Sequence, residues 1–378
     1  MRILLIDKNL VEPVNYKKWE ILSSKSNVEL RAVFPSRWME NFRMCSLPED
    51  FKPSFPVRSL PVVWPGFENR SFYLRGLAKE IRKFKPEVII GFEEPFSLFA
   101  LQITALRRLY ARSAKLILYS WDNLAKGRYY PYRPRLLYGI IERIVLKQAN
   151  LLLTANREGE EYFRSAYDTE VRKLYFGVDL NGADRINSSA DIDGIQLPSV
   201  GRFVVGYVGR LLEMKGIDTL LKAISICNKE IGLVIVGSGP FEDRLKTIAV
   251  DLGISQRVSF ISAVDPYKAR LIIRKLDVLV LPSLTTKRWK EQFGRVLVEA
   301  MSCGVPVIGS SSGAIPEVIG DAGIVFNEGD PVSLARAIGK LESDKALRID
   351  FSRRGLLRSK EFSAERFADR LYSMLNEL

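Results

Sequence analysis

Two glutamates, Glu291 and Glu299, stand eight residues apart in the stretch KEQFGRVLVEAMSCGVPVIGS. Glu291 follows the strand-like run DVLVLP and a short polar segment, which puts it in a loop at the carboxyl end of a strand. Glu299 sits among Val298, Ala300 and Met301, inside an apolar helical pattern about two turns further on. At that spacing both side chains can project toward one side, and a carboxylate among apolar neighbours needs a partner. The vicinal hydroxyls of a ribose are one such partner; the alternative is a loop acid and an unrelated helix acid. Gly294 would let the N–H groups around Phe293 and Gly294 face a ligand.

Three further stretches have residue types suited to chemistry. In YVGRLLEMKGIDTLLKAI a strand ends in Gly209; Arg210 and Lys215 follow, and Gly216 opens a helix. A forked guanidinium and an ammonium beside a helix N-terminus suit a diphosphate, although a surface turn with incidental charges would read the same way. VIVGSGP, with Gly237 at the strand end, is either a phosphate turn or a strand-to-helix turn that needs glycine for steric reasons. GFEEPFS sets Glu93 and Glu94 after another strand; adjacent side chains in extended backbone point opposite ways, so one of the two would face a ligand.

These residues need a frame. RILLI, VELRAVF, EVIIG, KLILYS and NLLLTA read as strands in the N-terminal half. Helical patterns near 71–84, 97–112, 134–149 and 156–166 alternate with them. After a polar, Gly- and Pro-containing stretch the pattern restarts with RFVVGYVG, GLVIVG, RVSFI, DVLVLP, VPVIG and GIVF. Helices are expected there near 215–229, 241–252, 266–275 and 294–303, then at 331–343 and 363–376. Such alternation predicts α/β architecture: two Rossmann-like, doubly wound parallel-sheet domains, with ligands beyond the carboxyl ends of the strands in a cleft between them. The expected boundaries are 1–181, a linker at 182–200, a second domain at 201–360, and a terminal helix at 361–378 packing back toward the first domain. The acidic Asp191–Asp193 run is read as exposed linker rather than as a metal site.

Composition removes several chemistries. The chain of 378 residues contains no histidine, which excludes a Ser-His-Asp triad, a Cys-His dyad and most zinc sites. Cys45, Cys227 and Cys303 have no ligand spacing, and their sparseness fits a reducing compartment. The opening MRILLID lacks the apolar core of a leader, and LLYGIIERIVL is too short and too charged to span a bilayer. A cytoplasmic location is therefore expected. The net charge is +13, and residues 1–180 hold 30 Lys and Arg against 20 Asp and Glu. That excess is either a solvated basic face or an attraction to anionic partners. Tyr129, Tyr130 and Tyr132 alternate with Arg128, Arg133 and Arg135, a mixture suited to the headgroup layer of an anionic membrane. No recognition helix or RNA-binding motif supports a nucleic-acid partner.

Taken together and in order, GRLLEMKG, VGSGP, LPS, EQFGRVLVEAMSCGVPVI and SGAIPEVI resemble the retaining glycosyltransferases of family 4, which have the GT-B fold. The resemblance is strong over about 205–330; PEVIIGFEEP, WDNLAKG, ANLLLTAN and FGVD match only in outline. It implies transfer of a sugar from a UDP- or GDP-type nucleoside-diphosphate sugar to a glycan, a lipid-linked acceptor or another small acceptor, with no metal and no separate cofactor. By the same resemblance Arg210 and Lys215 bind the donor diphosphate and Glu291 contacts the transferred sugar. Phe293 and Gly294 offer backbone N–H groups, and Glu299 holds the ribose. Gly209 and Gly237 border the site, and Val264 lies where the nucleobase is held. Many members carry a histidine near the end of the strand before EEP; here Glu93 or Glu94 takes that region, and Glu94 is the expected catalytic substitute. Ser262 and Ala314 stand where the family often has glycine. A GT-B sugar-nucleotide epimerase is the alternative within enzymes, and a basic membrane- or nucleic-acid-binding module without catalysis is the alternative outside them.

Overall fold

The computed structural model describes residues 1–40, 43–124, 134–180 and 202–378. The chain forms two compact units, Met1–Asp179 with Ala364–Leu378, and Leu180–Ser363.

The first unit is built on a seven-stranded sheet. In spatial order its strands are Val171–Lys173, Leu151–Thr154, Lys115–Ser120, Val88–Phe92, Arg2–Asp7, Glu29–Pro35 and Val57–Leu60. Every neighbouring pair is parallel. Strands covered on both faces read as unbroken apolar runs, which is why VIIGF and LLLT are buried throughout. The helix Ala364–Asn376 completes this unit against the helix Lys17–Ser23. Trp19 meets Phe367 edge to face at 5.3 Å, and Lys25 pairs with Asp369 at 2.7 Å.

The second unit carries a six-stranded parallel sheet in the order Val258–Ile261, Ile231–Val236, Phe203–Val208, Val278–Leu281, Val307–Ser310, Gly323–Phe326. Counted along the chain, that order is third, second, first, fourth, fifth, sixth, the doubly wound arrangement. Its interior strand Ile231–Val236 is wholly buried.

The fold class expected from the sequence is what the structure has, and most strands fall within a residue or two of their expected places. The helix expected over 71–84 starts only at Leu77. Gly76, at φ +97°, breaks the backbone, and Phe72–Tyr73 instead pairs with Val62–Val63 in a two-stranded ribbon. The helices Lys17–Ser23, Ile315–Ile319 and Lys345–Ser359 were not anticipated. The first two are short, and the third is a basic helix with little apolar periodicity. The expected linker at 182–200, with Asp191–Asp193, and the segment holding Arg128, Tyr129, Tyr130, Tyr132 and Arg133 lie outside the described residues, as does the side chain of Arg135.

Candidate active site

In a doubly wound sheet the crevice opens where the strand order reverses. In the second unit the reversal falls between Phe203–Val208 and Val278–Leu281. The loops leaving those two strands carry Gly209–Lys215 and Ser283–Glu291. Lys215 ends a short 3-10 turn, and Gly216, at φ +65°, turns the chain into the helix Ile217–Ile226.

These loops meet in a buried ion pair. The Lys215 Nζ donates to Glu291 Oε2 at 2.7 Å, and Ser283 Oγ donates to the same oxygen at 2.7 Å. Burial pushes the Glu291 carboxyl up; Lys215, Ser283 and the Arg210 guanidinium more than offset this and hold it below the usual carboxylate range. The Trp289 ring lies 4.5 Å from the Lys215 ammonium. The turn carrying the indole is fastened by Thr286, whose Oγ1 donates to the Trp289 carbonyl at 3.1 Å and accepts from the Trp289 N–H at 2.9 Å. Arg210 is exposed, and its guanidinium makes no hydrogen bond or ion pair with another described residue. Its carbonyl accepts from the buried Tyr207 hydroxyl at 2.8 Å, which fixes the backbone there.

Glu291 is also set from behind. Its carbonyl accepts the Ala314 N–H at 2.9 Å. Gly313 sits at φ +51°, where a Cβ would come 2.1 Å from that carbonyl oxygen. Ala314 itself has right-handed backbone, so the alanine in SGAIPE is unstrained.

Glu299 lies in the helix Arg295–Ser302, which Gly294 opens without a side-chain cap. Its Oε1 accepts from Arg295 Nε at 2.9 Å and lies 3.8 Å from Arg270 Nη2. The two glutamates are thus held by different cations: Glu291 by Lys215, Glu299 by Arg295 and Arg270. Phe293 is buried, its ring 5.6 Å from that of Phe362. At Gly237 a Cβ would lie 1.9 Å from the Gly209 carbonyl oxygen, so this glycine lets the two strand ends approach. Val264 is half-buried in the loop between Val258–Ile261 and the helix Pro266–Ile273.

The first unit repeats the arrangement. Its strand order reverses between Arg2–Asp7 and Val88–Phe92, and just beyond those strands Lys8 Nζ meets Glu93 Oε2 at 2.9 Å, both buried. Glu93 Oε1 has no hydrogen-bond partner among the described residues. Burial outweighs Lys8 and raises the Glu93 carboxyl to about 7. The neighbouring Glu94 has both oxygens engaged, one by Ser120 Oγ at 2.5 Å and the other by the Trp121 N–H at 2.8 Å.

Sequence reasoning gave no role to Ser283, Trp289, Arg270, Lys8 or Arg295. Two of them carried a signal: Ser283 ends the LPS stretch, and Arg295 lies four residues before Glu299 on one helix face. Among the described residues, no group of three or more Cys, Asp or Glu could hold a metal ion, and no helix is long and apolar enough to cross a membrane.

Residues 190–358 match the model of the family described as glycosyl transferases group 1. The D-inositol 3-phosphate glycosyltransferase of Corynebacterium jeikeium is 29% identical over 258 residues, which cover 63% of this chain and 60% of that protein. The GDP-mannose-dependent alpha-(1-6)-phosphatidylinositol monomannoside mannosyltransferase of Mycolicibacterium smegmatis is 33% identical over 214 residues, 53% of this chain and 55% of that one. The chain spans between two-fifths and three-fifths of the length of the curated relatives it matches. Among solved structures, Anabaena HepE in complex with UDP shares 18% identity over 100% of both chains, with a TM-score of 0.73. At that identity the likeness is one of fold, and the fold is GT-B.

Proposed function

We propose, on the premise that the chain belongs through residues 190–358 to the glycosyl transferases group 1 family, that it moves a sugar from a nucleoside-diphosphate sugar to a glycan, a lipid-linked acceptor or another small acceptor. The observation that carries this is the Lys215–Glu291 pair beside Arg210, set where the second sheet reverses. Breaking the bond between the sugar C1 and the diphosphate puts negative charge on a phosphate oxygen. Arg210 and Lys215 stabilise that charge as it grows, together with the uncapped N-terminus of the helix Arg295–Ser302. Two cations in that role make a metal unnecessary. Glu291, kept ionised by its neighbours, takes the hydroxyls of the transferred sugar, and Glu299 takes the ribose. The acceptor attacks the face that the diphosphate leaves, so configuration is retained. The relatives' names mention UDP and GDP-mannose, in keeping with a UDP- or GDP-type donor.

We extend the proposal to a peripheral position on the cytoplasmic membrane face. Exposed Leu137, Ile140 and Ile144 lie at helical spacing on Pro134–Leu146, and Trp64 and Phe67 are exposed in the same basic unit. Sedimentation with vesicles checks it: the protein should prefer anionic over neutral lipid, and equal binding to both removes the proposal.

The catalytic proposal is tested with a panel of UDP- and GDP-sugars read by thermal shift, followed by product analysis with candidate acceptors. At least one donor should raise the melting temperature and lose its sugar to an acceptor. Conversion of the donor alone into an epimer would replace transferase by epimerase, and no response to any donor would end both.

A further inference from the structure

Arg270 belongs to the helix Pro266–Ile273 and is 1% exposed, with Ala269, Leu271, Ile272 and Ile273 buried around it. Its Nη1 and Nη2 have no hydrogen-bond partner among the described residues. A buried guanidinium without partners is costly, and a leucine or methionine would fill such a place more cheaply. Among the described residues, the one acid that forms an ion pair with it is Glu299, at 3.8 Å from Nη2 to Oε1. Arg295 Nε donates to that same oxygen at 2.9 Å. Glu299 Oε2 makes no hydrogen bond to a described residue. One carboxylate oxygen is therefore anchored between two guanidinium groups, and the other is left to a ligand.

We propose that Arg270 is a positioning residue for donor recognition: it fixes Glu299 so that Oε2 receives the vicinal hydroxyls of the donor's ribose. The proposal rests on the nucleotide-sugar reading given above and adds a residue that neither the motif nor the family match singles out. The Arg295 side chain is 28% exposed at the helix surface, whereas that of Arg270 is 1% exposed and enclosed by its surroundings. The enclosed arginine sets the direction of the carboxylate and the outer one completes its charge balance. A positioning role of this kind acts on the ground-state grip of the ribose and leaves the sugar transfer step alone.

The experiment uses the full chain with UDP-glucose and GDP-mannose, each beside its 2′-deoxyribose analogue. Arg270→Met should raise the KM of whichever ribose donor is used by about tenfold. It should leave kcat within about twofold and shrink the preference for the ribose over the deoxyribose form. Arg270→Gln, which also removes the charge, should do the same and stands in if the methionine variant does not fold. Arg270→Lys should recover part of the preference. A merely structural defect would lower kcat and active fraction without touching the ribose preference. Wild-type preference in both neutral variants overturns the assignment to Arg270 while leaving the donor reading intact. A wild-type protein that binds these donors without distinguishing ribose from deoxyribose overturns the role of Glu299 and this proposal with it.

Discussion

Lys215 and Glu291, 76 residues apart in the chain, meet at 2.7 Å where the second sheet reverses its strand order. On the proposed reading, a donor diphosphate would meet an ammonium that already has a counterion. Binding there would have to share that ion pair with Glu291.

Lys215→Ala and Glu291→Ala should each reduce transfer by at least about 100-fold, the scale for losing one contact made to charge in the transition state. Each also leaves a buried charge unpaired, which costs about 3–5 kcal/mol of stability. The double variant Lys215→Met with Glu291→Leu should be more stable than either single alanine variant and equally inactive. Turnover close to wild type in either single variant removes that residue from the chemistry.

Trp289 covers the Lys215 ammonium at 4.5 Å. Trp289→Leu should weaken donor binding by about three- to tenfold, the effect of losing a partly desolvated cation–π contact, and Trp289→Phe should recover part of it. Titration calorimetry with the donor reads this directly; unchanged affinity in the leucine variant would show that the indole does not hold the lysine.

Activity should survive EDTA if, as proposed, the charge on the leaving diphosphate is met by Arg210 and Lys215 rather than by an ion. Complete loss on chelation, restored by added magnesium or manganese, would overturn this.

Glu93 gives a pH dependence of known sign. Burial raises its carboxyl from 4.5 to about 7 in the folded chain, against the pull of Lys8. Between those values the native state holds a proton that the unfolded chain has released, so stability falls as pH rises from about 4.5 to about 7, by up to about 3 kcal/mol. Glu93→Gln should flatten that stretch of a urea-unfolding series. An unchanged slope in the variant would assign the effect to other groups.

Much of the frame was legible. Buried parallel strands write themselves as short apolar runs, and KLILYS and GIVF coincide with their strands residue for residue. The glycines and charges of the motif around Glu291 fall just past strand ends, as the sequence pattern placed them. What the chain could not announce was pairing across distance. Nothing local links Lys215 to Glu291, Arg270 to Glu299 or Lys8 to Glu93; those contacts exist because strand order brings remote loops and helices together. The expectation that Glu291 and Glu299 face one ligand came from their spacing and the resemblance; in the structure Glu291 is held by Lys215 from another segment, and Glu299 by Arg295 of its own helix and Arg270 of another.

The helix Ala364–Asn376 belongs to the first unit, so the chain leaves that unit after Asp179 and re-enters it at Ala364. Exit and return lie side by side, for the Ala364 N–H donates to the Val178 carbonyl at 2.9 Å. The second unit is thus a guest spliced into a host. Deleting the last fifteen residues would injure the fold that begins at the N-terminus rather than trim a tail. Joining Asp179 to Ala364 through a few glycines would leave the host with its own ends already closed.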